Sequence, residues 1–403
     1  MIAVDRFNGG SKVMTLAGAV GVIGLVLTIV GFVTSAQATM FSYLLAFTYW
    51  VGIAVAAIIM QAIFHTAKAK WVTVVRRTME TMGASVVVFI ILALPILFGA
   101  KYLFPWVDPT NWVFPGTDGV KFTEVELHHL HHKHPYLNLT FFYIRQAIYF
   151  AVWAFVAWRL RSWSTQQDES GALELTVKLR TFSPGALPFL ALTITFAGFD
   201  WLMTLTPLWQ STIFGVYYFA GSFLAAFCVL TISAVNAQGK NEFGSLLTTA
   251  HYHNLGKLML AFTAFWAYIA FSQFLLIWIA NLPEEAGWYK LRIEGPWRSV
   301  SLVVFFFGFL LPFFTLLSRN LKLKPKLLAM VAVYLMVMHA VDMYWLIWPA
   351  FSPQAPSFHW TIITAFAGVG GLAVAGAIWL ARGRYTVPVK DPYIAEALRY
   401  VQP

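Results

Sequence analysis

The sequence predicts an all-α integral membrane protein of ten transmembrane helices with both termini cytoplasmic. Three observations carry this. Of 403 residues, 59% are apolar and only 11% charged, a balance foreign to a soluble globule. Ten segments reach the roughly 20 mostly apolar residues that a spanning helix needs. Lysine and arginine also alternate sides. Twenty lie at the N-terminus, at the C-terminus and in every second loop, against 6 on the other side, with Arg145 left inside the fourth span. The positive-inside rule then places both termini in the cytoplasm. It also accounts for the net charge of +10, which in a soluble chain would point to nucleic acid; no nucleic-acid partner is expected.

The spans are expected near 13–33, 41–64, 78–100, 138–160, 185–206, 212–236, 257–280, 299–318, 327–349 and 359–381. Ala36-Gln37-Ala38 resembles a leader cleavage site, but the apolar run before it is too long for a signal-peptide core and reads as span 1. Small residues form stripes in span 1 (Ala17, Gly21, Gly24, Thr28, Gly31) and span 10 (Gly368, Gly371, Ala375). Such faces allow close helix packing, within the chain or against a neighbouring subunit. Two outer loops are substantial, 101–137 and 281–298, and a cytoplasmic tail occupies 382–403. The polar stretches are too short for a second core, so residues 1–403 read as one polytopic membrane domain. The single cysteine, Cys228, excludes an intrachain disulfide, a thiolate-bound iron–sulfur cluster and a CxxCH haem site.

The chain is organised around Phe199–Phe223, FDWLMTLTPLWQSTIFGVYYFAGSF, an apolar stretch that carries Asp200. Placing such a carboxylate in the membrane costs roughly 2.5–3.5 kcal/mol, so it is a functional candidate by default. Glu80, Arg145 and Asp342 also fall in or at the edge of spans, and His339 lies three residues before Asp342 on the same helix face. Unpaired, the four charges would cost about 10 kcal/mol or more, so they should face the bundle interior. Asp200 precedes Pro207 by seven residues, and Asp342 precedes Pro349 by seven. That spacing suits a parallel repeat of two four-helix units, spans 2–5 and 6–9.

Two chemistries fit. A proton relay would use Glu80, Arg145, Asp200, His339 and Asp342, with His251 and His253 before span 7. A quinone site would set Asp200 beside the rings of Trp201, Tyr217 and Tyr218. The plainer alternative is that Arg145 neutralises an aspartate and pins two helices. No two histidines match in depth on separate helices, so haem is not expected. The run His128, His129, His131, His132 and His134 reads as a docking surface in preference to a metal site, and no metal is expected on this chain.

At this point a resemblance enters. The stretch above, Leu255–Glu285 (LGKLMLAFTAFWAYIAFSQFLLIWIANLPEE), the ending HAVDMYWLIWP and the tail VPVKDPYIAEAL are similar to the NrfD-like family, the polysulfide reductase membrane subunits. Within it they resemble the ActF type found in bacterial alternative complex III, a quinol:electron-acceptor oxidoreductase. The similarity covers spans 5–9 and the tail; spans 1–4 match in topology. It implies two four-helix bundles flanked by spans 1 and 10, residence in the bacterial inner membrane and no cofactor held by this chain. The implied partners are an NrfD-like sister subunit, a multihaem c-type cytochrome, an iron–sulfur subunit, lipid and the quinol or menaquinol pool. The implied role is structural, with a candidate proton path or quinone contact. One departure stands out: Asn254 occupies the position before Leu255-Gly256-Lys257 where an acid is expected, and His251, His253 and Glu80 would have to substitute. The rival readings are a proton-coupled secondary transporter and a purely architectural subunit.

Overall fold

A computed structural model describes residues 6–237 and 246–401. Lys240, one of the loop charges counted above, lies outside them. The described residues are helical, with one isolated bridge between Arg6 and Tyr385 in place of any sheet. Ten helices are long and apolar enough to cross a membrane: Ser11–Thr34, Ala36–Thr66, Arg76–Phe98, Leu139–Ser170, Leu173–Leu205, Phe214–Asn236, Thr249–Ala280, Trp297–Leu317, Pro325–Ala350 and Thr361–Ala381. They are spans 1–10 in that order.

Each expected span is present, and the differences lie at the ends. Spans 4 and 5 run about ten residues further than their apolar stretches, because hydropathy marks the oily part of a helix whereas backbone hydrogen bonding continues into polar sequence. Gly171, at φ 67°, stops span 4 in the left-handed conformation that glycine adopts without a Cβ clash, and Leu173 opens span 5. Two spans are irregular for the same reason. Span 3 breaks at Ala93 because Pro95 has no N–H to offer Ile91. In span 8, Pro312 cannot bond to Gly308, and the turn before it, Val304–Leu310, widens into a π-helix.

Span 2 is the axle of the molecule. Every residue from Ala38 to Ala62 except Trp50 is buried. It packs on spans 1, 3, 4, 5, 6, 9 and 10. Spans 2, 3, 4 and 5 contact one another in a ring, and so do spans 6, 7, 8 and 9, with span 6 touching spans 2 and 5. Spans 1, 7 and 8 keep broad exposed apolar faces, among them Leu16, Ile279 and Phe306.

The small-residue stripes of spans 1 and 10 meet each other. A Cβ on Gly24 would lie 2.5 Å from the backbone nitrogen of Gly368, and one on Gly371 would lie 2.6 Å from the carbonyl oxygen of Ala17. The two hydroxyls Thr28 and Thr364 are 3.0 Å apart across the same seam. The chain ends also meet: Phe7 N–H donates to Arg384 O at 2.8 Å, and Gly383 N–H to Phe7 O at 2.9 Å. Both termini therefore lie at one end of the bundle. There the tail folds back, with Asp391 on Arg76 and Glu396 on Lys70.

Gly24→Val should overpack this seam and destabilise the protein by about 1–3 kcal/mol. Gly185→Ala, where a Cβ meets nothing within 4 Å, should be neutral or stabilising by up to about 1 kcal/mol. Thermal unfolding of the solubilised protein separates the two outcomes.

Candidate functional site

The polar residues gather in three buried clusters at different places in the bundle. The first surrounds Asp200, which is 0% exposed. Arg145, one span earlier, grips it with both prongs, Nε to Oδ2 at 2.8 Å and Nη2 to Oδ1 at 2.9 Å. Tyr149 Oη donates to Oδ2 at 2.8 Å and Tyr136 Oη to Oδ1 at 3.0 Å. Gln146 adds a longer bond at 3.3 Å and accepts one from Trp201 Nε1 at 2.8 Å. Tyr136 precedes span 4; burial, and then the Asp200 charge, push its phenol well above the ordinary range, so it remains a donor. Arg145, Gln146 and Tyr149 share one helix face by their spacing. With each carboxylate oxygen held by at least two donors, Asp200 is a fixed ion pair joining spans 4 and 5. The plainer reading of this residue is the one its geometry matches.

The second cluster is built differently. Tyr217 Oη, from span 6, donates to Asp342 Oδ1 at 2.5 Å. His339, one turn earlier on span 9, puts Nδ1 4.0 Å from Oδ2. The imidazole lies against Tyr49 at 5.1 Å between ring centres and over Gly221, where a Cβ would come within 2.9 Å of Cε1. Glycine there makes room for the histidine. His339 Nε2 is buried without a hydrogen-bond partner among the described residues. A cavity of about 20 Å³ adjoins Asp342, His339, Gly221, Trp266 and the π-helical Val304 and Gly308. One water needs about 10–15 Å³ by this measure, whereas ligand pockets run to roughly 300 Å³ or more. The space is the size of one water.

The third cluster is Glu80 with Arg76 and Arg77 near the terminus-bearing end. Arg77 reaches Glu80 and Asp168, each at 2.5 Å, and Arg76 reaches Asp391 at 2.7 Å and Glu80 at 3.4 Å. All five side chains are buried. Spans 3 and 4 and the tail are thereby tied together.

His251 is buried at the start of span 7, where its Nδ1 meets the Thr248 hydroxyl at 2.9 Å and backbone N–H at 3.1 Å as a helix cap. His253 is partly exposed on the same turn. Asn254, in place of the expected acid, donates to Tyr400 Oη at 2.9 Å and so holds the tail.

The residues considered for a quinone do not share one cavity. Asp200 and Trp201 belong to the first cluster and Tyr217 to the second. Tyr218 donates to Thr48 O at 2.7 Å and packs on Gly198 as a peg between spans. The histidine run forms the helix Glu124–Lys133, begun by a capping box of Thr123 and Glu126. Its exposed rings pair as His128 with His132 and His131 with His134. Among the described residues no group of three or more metal-ligating side chains is placed to hold an ion.

Several participants lay outside the sequence reading. Arg76 and Arg77 could have been found from their spacing of four and three to Glu80; Asp168 and Asp391 meet them only through the fold. Arg292 is a further buried cation, from the loop 281–298. Its guanidinium lies 3.4 Å from the Trp288 ring centre and donates to the carbonyls of Trp345 and Leu346 at 3.3 and 3.0 Å. Burial lowers its pKa to about 9, so it stays charged at neutral pH.

No family model and no curated protein matches the sequence.

Arg145→Gln should cost about 3–5 kcal/mol, because it strands a buried carboxylate. Adding Asp200→Asn should restore part of that loss. A double-mutant cycle on thermal unfolding reads the coupling directly.

Proposed function

We propose that this chain is a membrane subunit of a quinol-oxidising electron-transfer complex of the alternative complex III type, where it supports a transmembrane proton path. The observation that carries the proton part is the second cluster: a carboxylate with one phenolic donor, a neighbouring histidine with an unpartnered nitrogen, and a cavity for water between them. A proton on Asp342 would exchange with that water and with His339, while Tyr217 holds the carboxylate in place in either state. In this reading Asp200 is anchorage and Asp342 is the titrating acid. Glu80, with its arginines, lies toward the cytoplasmic entry, His251 and His253 at the same end. Spans 2–5 and 6–9 serve as two four-helix bundles flanked by spans 1 and 10, and the contact pattern between spans supports that division. Both termini would face the cytoplasm, as the loop charges favour. The complex itself rests on the resemblance in spans 5–9 and the tail, with haem c and iron–sulfur clusters held by partner subunits.

The size of the cavity favours a relay over a quinone pocket. Asp342→Asn in the assembled complex, reconstituted into vesicles, should lower proton translocation per electron by about tenfold or more, with quinol oxidation retained. A fall in quinol oxidation first would favour a local quinone contact. No change in either would favour a purely architectural subunit. Purification of the chain free of haem-bearing partners would favour a proton-coupled transporter.

A further inference from the structure

A second cavity, of about 380 Å³, opens at the terminus-bearing end between spans 3, 4 and 10. Its floor is apolar, with Ala84, Val87, Ala154 and Ala157, and its rim carries Arg161, Arg382 and Arg384. No carboxylate lines it. Each flanking helix presents a tryptophan three residues before an arginine, Trp158 with Arg161 and Trp379 with Arg382, the spacing that puts both on one face. The tryptophans are 59% and 67% exposed, as rings at the bilayer interface are. Two of the guanidiniums are positioned from within. Arg161 Nη2 donates to Leu380 O, and Arg382 Nη2 donates to Ser11 Oγ at 2.8 Å. Arg161 Nη1 is buried without a partner among the described residues. Among those residues no ion pair engages Arg161, Arg382 or Arg384.

We propose that this cavity binds an anionic phospholipid, with the headgroup phosphate on the three arginines and an acyl chain along the alanine-lined floor. The chemistry that selects it is twofold. Guanidinium forks match phosphate oxygens in paired hydrogen bonds, and basic pockets between spanning helices suit multiply charged lipid heads. A free phosphate would satisfy the rim and leave the apolar floor uncovered, whereas a zwitterionic lipid would cover the floor and bring its own cation to the rim. The volume lies within the range of built ligand sites. This site is remote from Asp342 and does not depend on the proton reading.

The test is native mass spectrometry of the full chain in detergent, titrated with phosphatidylglycerol, cardiolipin or phosphatidylcholine. Anionic lipid should be retained in preference to phosphatidylcholine. Arg384→Gln, which removes a guanidinium that holds no other element in place, should weaken retention about fivefold or more. Lys326→Gln, an exposed charge at the start of span 9, should leave it unchanged. Inorganic phosphate and glycerol phosphate at millimolar concentration should not displace the lipid. Equal retention of phosphatidylcholine, equal loss in the two variants, or displacement by phosphate alone would each overturn the proposal.

Discussion

Charge removed from water must be answered by neighbouring groups, and the interior of this bundle is arranged around that requirement. The Arg145–Asp200 pair shows it most fully. An aspartate with no exposed surface is met by two guanidinium nitrogens, two phenols and an amide. An ion pair of this kind contributes little net stability beyond an apolar contact of the same shape, yet losing either partner is costly. Its effect is therefore to fix how spans 4 and 5 sit against each other. The arginine–glutamate–aspartate cluster does the same for span 3, span 4 and the tail.

The two halves of the chain place an aspartate in the same position relative to a proline and then treat it differently. Asp200 is saturated with donors. Among the described residues Asp342 has one, Tyr217, together with a histidine too distant for a direct bond and a water-sized space beside it. The contrast arises from what the adjacent spans supply. Span 4 brings Arg145, Gln146 and Tyr149, whereas span 8 brings Val304 and Gly308 on a π-helical turn. In the second half a buried cation, Arg292, is placed in the loop before span 8 and donates to Trp288 O in its own helix and to two carbonyls of span 9.

Much of the fold was legible because hydropathy and length are what the bilayer itself selects. The existence of ten spans follows from that. The ends of spans 4, 5 and 7 did not, since helix continues past the oily stretch into polar sequence. Within the site, Asp200, Asp342 and His339 stood out as ionisable groups in apolar surroundings. Their partners were hidden for two reasons. Tyr136, Tyr149 and Gln146 are unremarkable in a membrane helix until the fold turns them toward a carboxylate. Asp168 and Asp391 lie in polar sequence that reads as solvated, although the fold buries both. The small-residue stripes left their partner open, and the backbone distances at Gly24 and Gly371 identify it as the chain's own other end.

That seam has a consequence for how the molecule is assembled. Span 1 leaves the ribosome well before span 10, yet the two pack against each other more extensively than any other pair. Until span 10 emerges, the glycine groove of span 1 lacks the helix that fills it, and the strand-like pairing of Phe7 with Arg384 cannot form. The clasp therefore closes late: it forms only once span 10 has been threaded, and a chain cut short before that point leaves the groove of span 1 uncovered.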